Sequence, residues 1–534
     1  MNVRKSAALV RVMPAVLAAV GLSGFAIRST LAATRAADQG VAGSCAACHG
    51  SAGQGSPALD APRLAGLPRN YLLRQMQAFA GGQRRSAIMA PIARALSAGE
   101  LARLASLYAR SRAAPTVTSA AGTAASAGAA NDLQLLARGA RLARLGRWQQ
   151  QLPACTQCHG ARGSGVGESF PPLAGQSAAY LRAQLQAWQS GARDPGPLGL
   201  MGAIAHRLSA LDISAVAVYF ASGQPAVLPA PAQSQPPEQP QPPEQSQPPA
   251  QSAAAAVAAP FSPPPDSLIP HDAFGRVVRF GEQIFDDPSA YAAGFVGNRL
   301  RCSSCHLDRG RRAGSAPMWA AYVAYPAYRA KNGHVNTFAE RLQGCFRYSM
   351  NGQAPPLGSP VLVALESYAY WLASGARVTA HLPGRGYPRV PPPARPADFR
   401  RGARVYAEHC ALCHGKDGAG QNAREGTLAF PALWGDGSFN WGAGMADVDN
   451  AAGFIRANMP LSQDHTLSPQ QTWDVALFMD SHERPQDPRF QGSVQATRRR
   501  FHDGADSMYG RRVNGHILGE GSTAAGGALQ RVAR

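Results

Sequence analysis

The chain has 534 residues, 45% of them hydrophobic and 16% charged, and carries a formal net charge of +20. Beyond an N-terminal leader, that length allows about three to five small domains. The charge suggests a polyanionic partner such as nucleic acid, yet only three lysines occur (Lys5, Lys331 and Lys416), so nearly all of it is arginine. Arginine offers a planar fork suited to bidentate oxyanion contacts.

Arg4, Lys5 and Arg11 precede an apolar run over residues 13–27 and the small residues Ala32 and Ala33. Residues 1–33 therefore read as a secretory signal peptide, cleaved near residue 33, which places the mature chain in the periplasm. No later stretch is apolar enough to cross a bilayer, which argues against an integral membrane protein. Residues 38–112 and 131–222 then repeat one another. Pro62-Arg63-Leu64-Ala65-Gly66, Tyr71-Leu72 and Gln75-Met76-Gln77-Ala78-Phe79 in the first answer to Pro172-Leu173-Ala174-Gly175, Tyr180-Leu181 and Gln184-Leu185-Gln186-Ala187-Trp188 in the second. Leu96-Ser97 and Leu208-Ser209 open the last helix of each. Duplication at this detail means two copies of one domain, separated by an Ala/Ser/Gly/Thr stretch over about 113–130.

Residues 223–265 are rich in proline and glutamine and read as a semi-extended linker. Two further units follow, 266–394 and 395–486. Helical patterns over 276–285 and 399–409 open them. Ser359-Pro360 starts a closing helix over 361–373, with Gly375 as its stop, and Ser468-Pro469 with Gln471 forms a capping box before another at 473–479. No strand pattern stands out, so the expected fold class is all-α. Residues 487–534 form a basic, Gly-rich extension with no assignable fold.

Each of the four units holds one Cys-x-x-Cys-His: Cys45, Cys48 and His49; Cys155, Cys158 and His159; Cys302, Cys305 and His306; Cys410, Cys413 and His414. Chance would place roughly 0.004 copies in such a chain. Two thiols bonded to the haem vinyls and an adjacent histidine on iron make the c-type attachment. Zinc or disulfide sites would not need histidine at the next position every time. The chain thus reads as four class I cytochrome c domains in tandem with four covalently bound haem c groups. Eight propionates lower its working charge to roughly +12 or less, which removes the case for nucleic acid.

A second axial ligand in class I domains is usually a methionine some 40 residues after the histidine. Met89 follows His49 by 40, Met201 follows His159 by 42 and Met459 follows His414 by 45. Met76 and Met445 stand too near their histidines and fit core roles, and His206 is a rival to Met201. The third unit differs. Cys345, the one cysteine outside the motifs, follows His306 by 39, while Met350 follows by 44. By position Cys345 is the expected ligand, and thiolate donation lowers the potential, an odd choice for simple relay.

The segment Arg341-Leu342-Gln343-Gly344-Cys345-Phe346-Arg347-Tyr348-Ser349-Met350-Asn351-Gly352 resembles the one that carries the haem-ligating cysteine of the thiosulfate dehydrogenases, TsdA. The resemblance runs from about residue 270 to the C-terminus and includes Arg484-Pro485 and Phe501-His502-Asp503. Residues 38–224 resemble dihaem cytochromes of the c4 type, the class of TsdB, the electron acceptor of TsdA. The whole looks like a TsdB–TsdA fusion, with the linker keeping acceptor and enzyme at high effective concentration. The resemblance implies oxidation of two thiosulfates to tetrathionate, with electrons leaving one at a time through the haems to an outside acceptor such as a periplasmic redox protein or a terminal oxidase. It makes Cys345 both iron ligand and reaction partner, through a Cys–S–thiosulfonate adduct that a second thiosulfate attacks. Dianionic substrates need cations and donors, for which Arg341, Arg347, Lys331 and Ser349 are the candidates. Some members exchange ligands through a lysine just before the last methionine; Asn458 stands there in this chain, which favours steady Met459 ligation. The rival readings are a non-catalytic tetrahaem conduit with Met350 on the third haem, a cytochrome conjugating thiosulfate to a carrier protein, and tetrathionate reduction at the same site.

Overall fold

The computed structural model describes residues 43, 45–112, 127–194, 196–223, 260–379 and 381–524. The expected signal peptide, residues 113–126 of the expected spacer, residues 224–259 of the expected linker and residues 525–534 lie outside them. The described chain is mostly helical. In three of the four units an opening helix crosses the closing helix: Ala127–Leu145 on Ala210–Ala221, Ala273–Asp286 on Pro360–Leu372, and Phe399–His409 on Pro469–Asp480. In the first unit Arg69–Ala80 packs on Ala98–Arg110.

Each crossing is made close by a glycine. A Cβ on Gly139 would lie 2.1 Å from Ala215 O, one on Gly281 2.1 Å from Ala364 O, and one on Gly402 2.0 Å from Asp474 O. A carboxylate on the closing helix then ties two of the pairs, with Arg138 on Asp212 at 2.6 Å and Arg401 on Asp474 at 2.7 Å. The helix starts follow from local sequence. Ser97, Ser209 and Ser468 each form a complete capping box, with Glu100, Asp212 and Gln471, and Asp272 and Asp398 cap the opening helices of the third and fourth units. Gly281→Ala forces two backbones apart and is expected to cost about 1–3 kcal/mol. Thermal unfolding of the holoprotein checks this, with Gly294→Ala, whose Cβ meets nothing within 4 Å, as the neutral control.

The all-α expectation needs one amendment. Three two-stranded antiparallel ribbons occur, Ala327–Arg329 with His334–Asn336, Gln421–Asn422 with Leu428–Phe430, and Arg512–Val513 with His516–Ile517. Strands this short leave no alternation to read. The extension after 486 also has a fold. Helix Val494–Phe501 and the last ribbon close over one continuous core spanning the third and fourth units, where Tyr509, fully buried, meets Trp441 edge-on at 5.5 Å. Among the described residues no single helix is long and apolar enough to cross a membrane.

Candidate active site and haem cradles

The four histidines are oriented alike. Each Nδ1 faces a backbone carbonyl, Pro62 for His49 and Pro171 for His159 at 2.8 Å, Ala316 for His306 at 2.6 Å and Pro431 for His414 at 2.9 Å. A carbonyl only accepts, so Nδ1 carries the proton and Nε2 keeps a free lone pair for a metal. Burial keeps the rings neutral by lowering their pKa values, that of His306 to about 4. Among the described residues no disulfide joins the paired cysteines. Among the described residues no three His, Cys, Asp or Glu side chains converge as a metal site without a macrocycle would require.

A cavity of about 680 Å³ runs between the second and fourth motifs. Cys155, Cys158, His159 and Met201 line it together with Cys410, Cys413, His414 and Met459. Cysteines, neutral imidazoles and thioethers around one largely apolar space fit covalent haem. His206 is exposed and bonded to Gly202 O of its own helix at 2.8 Å, so it does not compete with Met201. Met445 lines the same cavity as Met459. Met89 begins the helix Met89–Ala95, its N–H held by Ser86 Oγ at 3.0 Å.

The third unit has the distinctive site. Thr337 and Glu340 box the start of helix Phe338–Gly344, which widens at Cys345–Ser349 into a turn of π-helix closed by Met350 N–H on Cys345 O at 2.9 Å. Such single π-turns recur at functional sites. Arg341 and Cys345, four positions apart, share one face. Arg341 Nη1 donates to Cys345 Sγ at 2.9 Å, and the Cys345 charge raises the guanidinium pKa further. Burial first, then Cys345, raises the pKa of both Cys302 and Cys305, and Arg341 acts on His306 after burial and its backbone bond, so Cys345 and Arg341 lie within electrostatic range of the third motif. Met350, 3% exposed, is part of the hydrophobic core.

The other candidates divide. Lys331 lies in the turn between the strands Ala327–Arg329 and His334–Asn336, with its Nζ 4.3 Å from the centre of the Tyr348 ring and donating to Gly442 O. Lys331 is an exposed residue, yet desolvation by the groups around its ammonium, with Arg489 next, pulls its pKa down to about 8. Ser349 is half-buried, with its carbonyl taken by Asn298 Nδ2 at 2.9 Å; Arg347 is exposed. Asn458, buried, donates to Gly314 O and Phe454 O at 3.2 and 3.0 Å.

Two participants carry no sequence signal. Arg489, from the extension, stands over Tyr348 at 5.2 Å, held by Asp487 at 2.6 Å; Asp487 also takes His502 at 2.9 Å. Tyr387, half-buried and within electrostatic range of Cys305, Arg341 and Cys345, has its phenol pKa pushed up by desolvation first. The two halves also meet. Val166, Phe170, Ala423 and Phe430 form a small core, with Phe170 and Phe430 ring centres 5.2 Å apart. Each ring touches its own haem histidine edge-on at 6.3 Å, Phe170 on His159 and Phe430 on His414. Glu425 accepts Ala161 N–H at 2.9 Å across the same junction.

Comparison with known proteins agrees with both halves. Residues 397–479 match the family described as cytochrome c oxidase, cbb3-type, subunit III. Over 267 residues, 50% of this chain and 85% of the relative, the chain is 58% identical to the thiosulfate dehydrogenase of Thiomonas intermedia. Over 185 residues, 34% of the chain and 79% of the relative, it is 44% identical to the thiosulfate dehydrogenase electron acceptor of the same organism. The solved thiosulfate dehydrogenase TsdBA of Marichromatium purpuratum superposes with a TM-score of 0.77 at 45% identity, covering 90% of this chain and 96% of that one. A cysteine held by an arginine in one half, and a duplicated cytochrome joined to it through paired aromatic rings in the other, are therefore the two parts of one enzyme: the chain belongs to the thiosulfate dehydrogenase family, in the form that carries its c4-like electron acceptor on the same polypeptide.

Proposed function

We propose that the chain is a periplasmic tetrahaem cytochrome that joins two thiosulfates into tetrathionate at Cys345 and passes the two electrons to its own c4-like half. The observation that carries this reading is the 2.9 Å contact between Arg341 Nη1 and Cys345 Sγ beside the third haem motif. The half-buried guanidinium donates to the Cys345 sulfur, and it offers further N–H groups to a sulfonate approaching that sulfur. The reaction consumes two thiosulfate dianions and yields one tetrathionate dianion and two electrons. In it the sulfane sulfur of the first thiosulfate would bond to Cys345 Sγ as two electrons leave, one at a time, to the haem acceptors; attack by the second on that sulfane sulfur breaks its bond to Cys345, forms tetrathionate and frees the thiolate.

Cys345, His306, Cys302 and Cys305 would hold the third haem; His49, His159 and His414 with Met89, Met201 and Met459 would serve the others. When bound, the haems supply one-electron acceptors and a relay. The chain's own share of that relay is the Phe170–Phe430 contact, which sets the second and fourth cradles side by side, and an outside acceptor would take electrons from the c4-like half.

Thiosulfate added to the oxidised, purified protein is expected to bring up the reduced haem bands and to leave tetrathionate as product. Intact mass is expected to show four haems, retained in acidified organic solvent. Fewer than four, or no thiosulfate-dependent reduction, would sink the reading and favour a conduit.

A further inference from the structure

The two c4-like units meet around a pair of arginines that the reaction does not use. Arg84 follows Gln75 by nine positions and Phe79 by five; Arg193 stands at the same distances from Gln184 and Trp188. Both are buried, 7% and 6% exposed, and their backbones pair as an antiparallel bridge across a pseudo-twofold. Each guanidinium stacks on its own aromatic ring, Arg84 over Phe79 at 4.4 Å and Arg193 over Trp188 at 4.0 Å. Their polar contacts cross over. Arg84 donates to Gln75 Oε1 at 2.9 Å, Tyr180 Oη at 2.8 Å and Gln184 Oε1 at 2.7 Å. Arg193 donates to Gln184 Oε1 at 2.9 Å, Gln75 Oε1 at 2.7 Å and Tyr71 Oη at 3.3 Å.

Two permanent positive charges thus share the same two amide oxygens. Each of these hydrogen bonds from the two guanidinium groups ends on a neutral amide or phenol oxygen. Burying like charges together without anions is costly, and amide or phenol oxygens do not supply the missing charge. Burial alone would raise the pKa of Tyr180; Arg84 and Arg193 overcome it and draw the phenol down, the response of a site short of negative charge. Arg84, Arg193, Gln75, Gln184, Tyr71 and Tyr180 all line the cavity that the second haem motif opens into.

We infer that Arg84 and Arg193 form one shared carboxylate-binding centre for the propionates of the first and second haems. The inference rests on the haem content proposed above, which intact mass tests separately, so failure of one is distinguishable from failure of the other. Because each arginine reaches across to the other unit, its charge acts on both haems. An uncompensated propionate stabilises ferric over ferrous iron, so loss of either arginine lowers two potentials together.

The test is a spectroelectrochemical titration of the full holoprotein, the first two haems being assigned with Met89→His and Met201→His marker variants. Arg84→Leu and Arg193→Leu are each expected to reduce the equilibrium constant for reducing both haems at least tenfold, 59 mV for one electron, while the third and fourth haems stay unmoved. Arg84→Lys keeps the charge without the fork; it is expected to shift both haems in the same direction by less, and it serves if the leucine variants do not fold. Unshifted potentials in Arg84→Lys and in any folded leucine variant overturn the inference, as does a shift confined to one haem. In the unaltered protein, replacing chloride by a bulky, weakly binding anion is expected to change nothing. Potentials that follow the anion would show a free-ion site instead.

Discussion

Cys345→Met is expected to abolish tetrathionate formation, to near background, in a protein that still folds and whose haems are all reduced by dithionite. A thioether at this position can ligate iron from the same π-turn, so the cradle survives. What goes is the anionic sulfur that can bond reversibly to the sulfane sulfur of thiosulfate. Arg341 loses its partner as well. It donates to Cys345 Sγ, and losing a hydrogen bond to a charged group costs about 1.5–3 kcal/mol. The variant is therefore expected to be less stable and to show an altered third haem even before substrate is added. Exchange of an anionic for a neutral donor raises that haem's potential. Magnetic resonance of the ferric protein checks the assignment independently, because a thiolate low-spin signal is expected in the unaltered chain, retained in Met350→Leu and lost in Cys345→Met. An active Cys345→Met enzyme would leave outer-sphere oxidation or a simple conduit as the better account.

What the sequence made legible was local. Cys-x-x-Cys-His is one turn of chain, a capping box is four residues, and Arg341 and Cys345 meet because four positions on a helix share a face. The internal repeat exposed the duplication. What stayed hidden depends on long-range packing. Arg489 reads as one more surface arginine in a basic tail, yet Asp487 holds it over Tyr348. Arg84 and Arg193 lie in the spelled-out repeat but pass for solvated charges until their burial is seen. The junction of the halves uses Phe170 and Phe430, single aromatics with no periodic neighbours, and the ribbons are too short to alternate. A fold was missed after residue 486 because its core residue, Tyr509, finds its partner Trp441 in another unit.

Lys331 is expected to set an alkaline limb on thiosulfate oxidation. Desolvation has brought its pKa down to about 8, so the ammonium is charged below that pH and progressively lost above it. A dianion binds the charged form better, hence kcat/KM for thiosulfate is expected to fall as pH rises through about 8, chiefly through KM. Lys331→Met lacks the charge at every pH. A charge-assisted contact is worth about 1.5–3 kcal/mol, so KM at neutral pH is expected to rise about ten- to hundredfold and the limb to vanish. Lys331→Arg stays charged and is expected to retain most affinity with no limb below pH 10. Arg489 gives a sharper check from outside the turn. Its charge is one of the causes that depress Lys331, so Arg489→Gln is expected to move the limb to higher pH. A Lys331→Met enzyme with unchanged KM and an unchanged limb would remove Lys331 from the substrate site and assign the limb to another group.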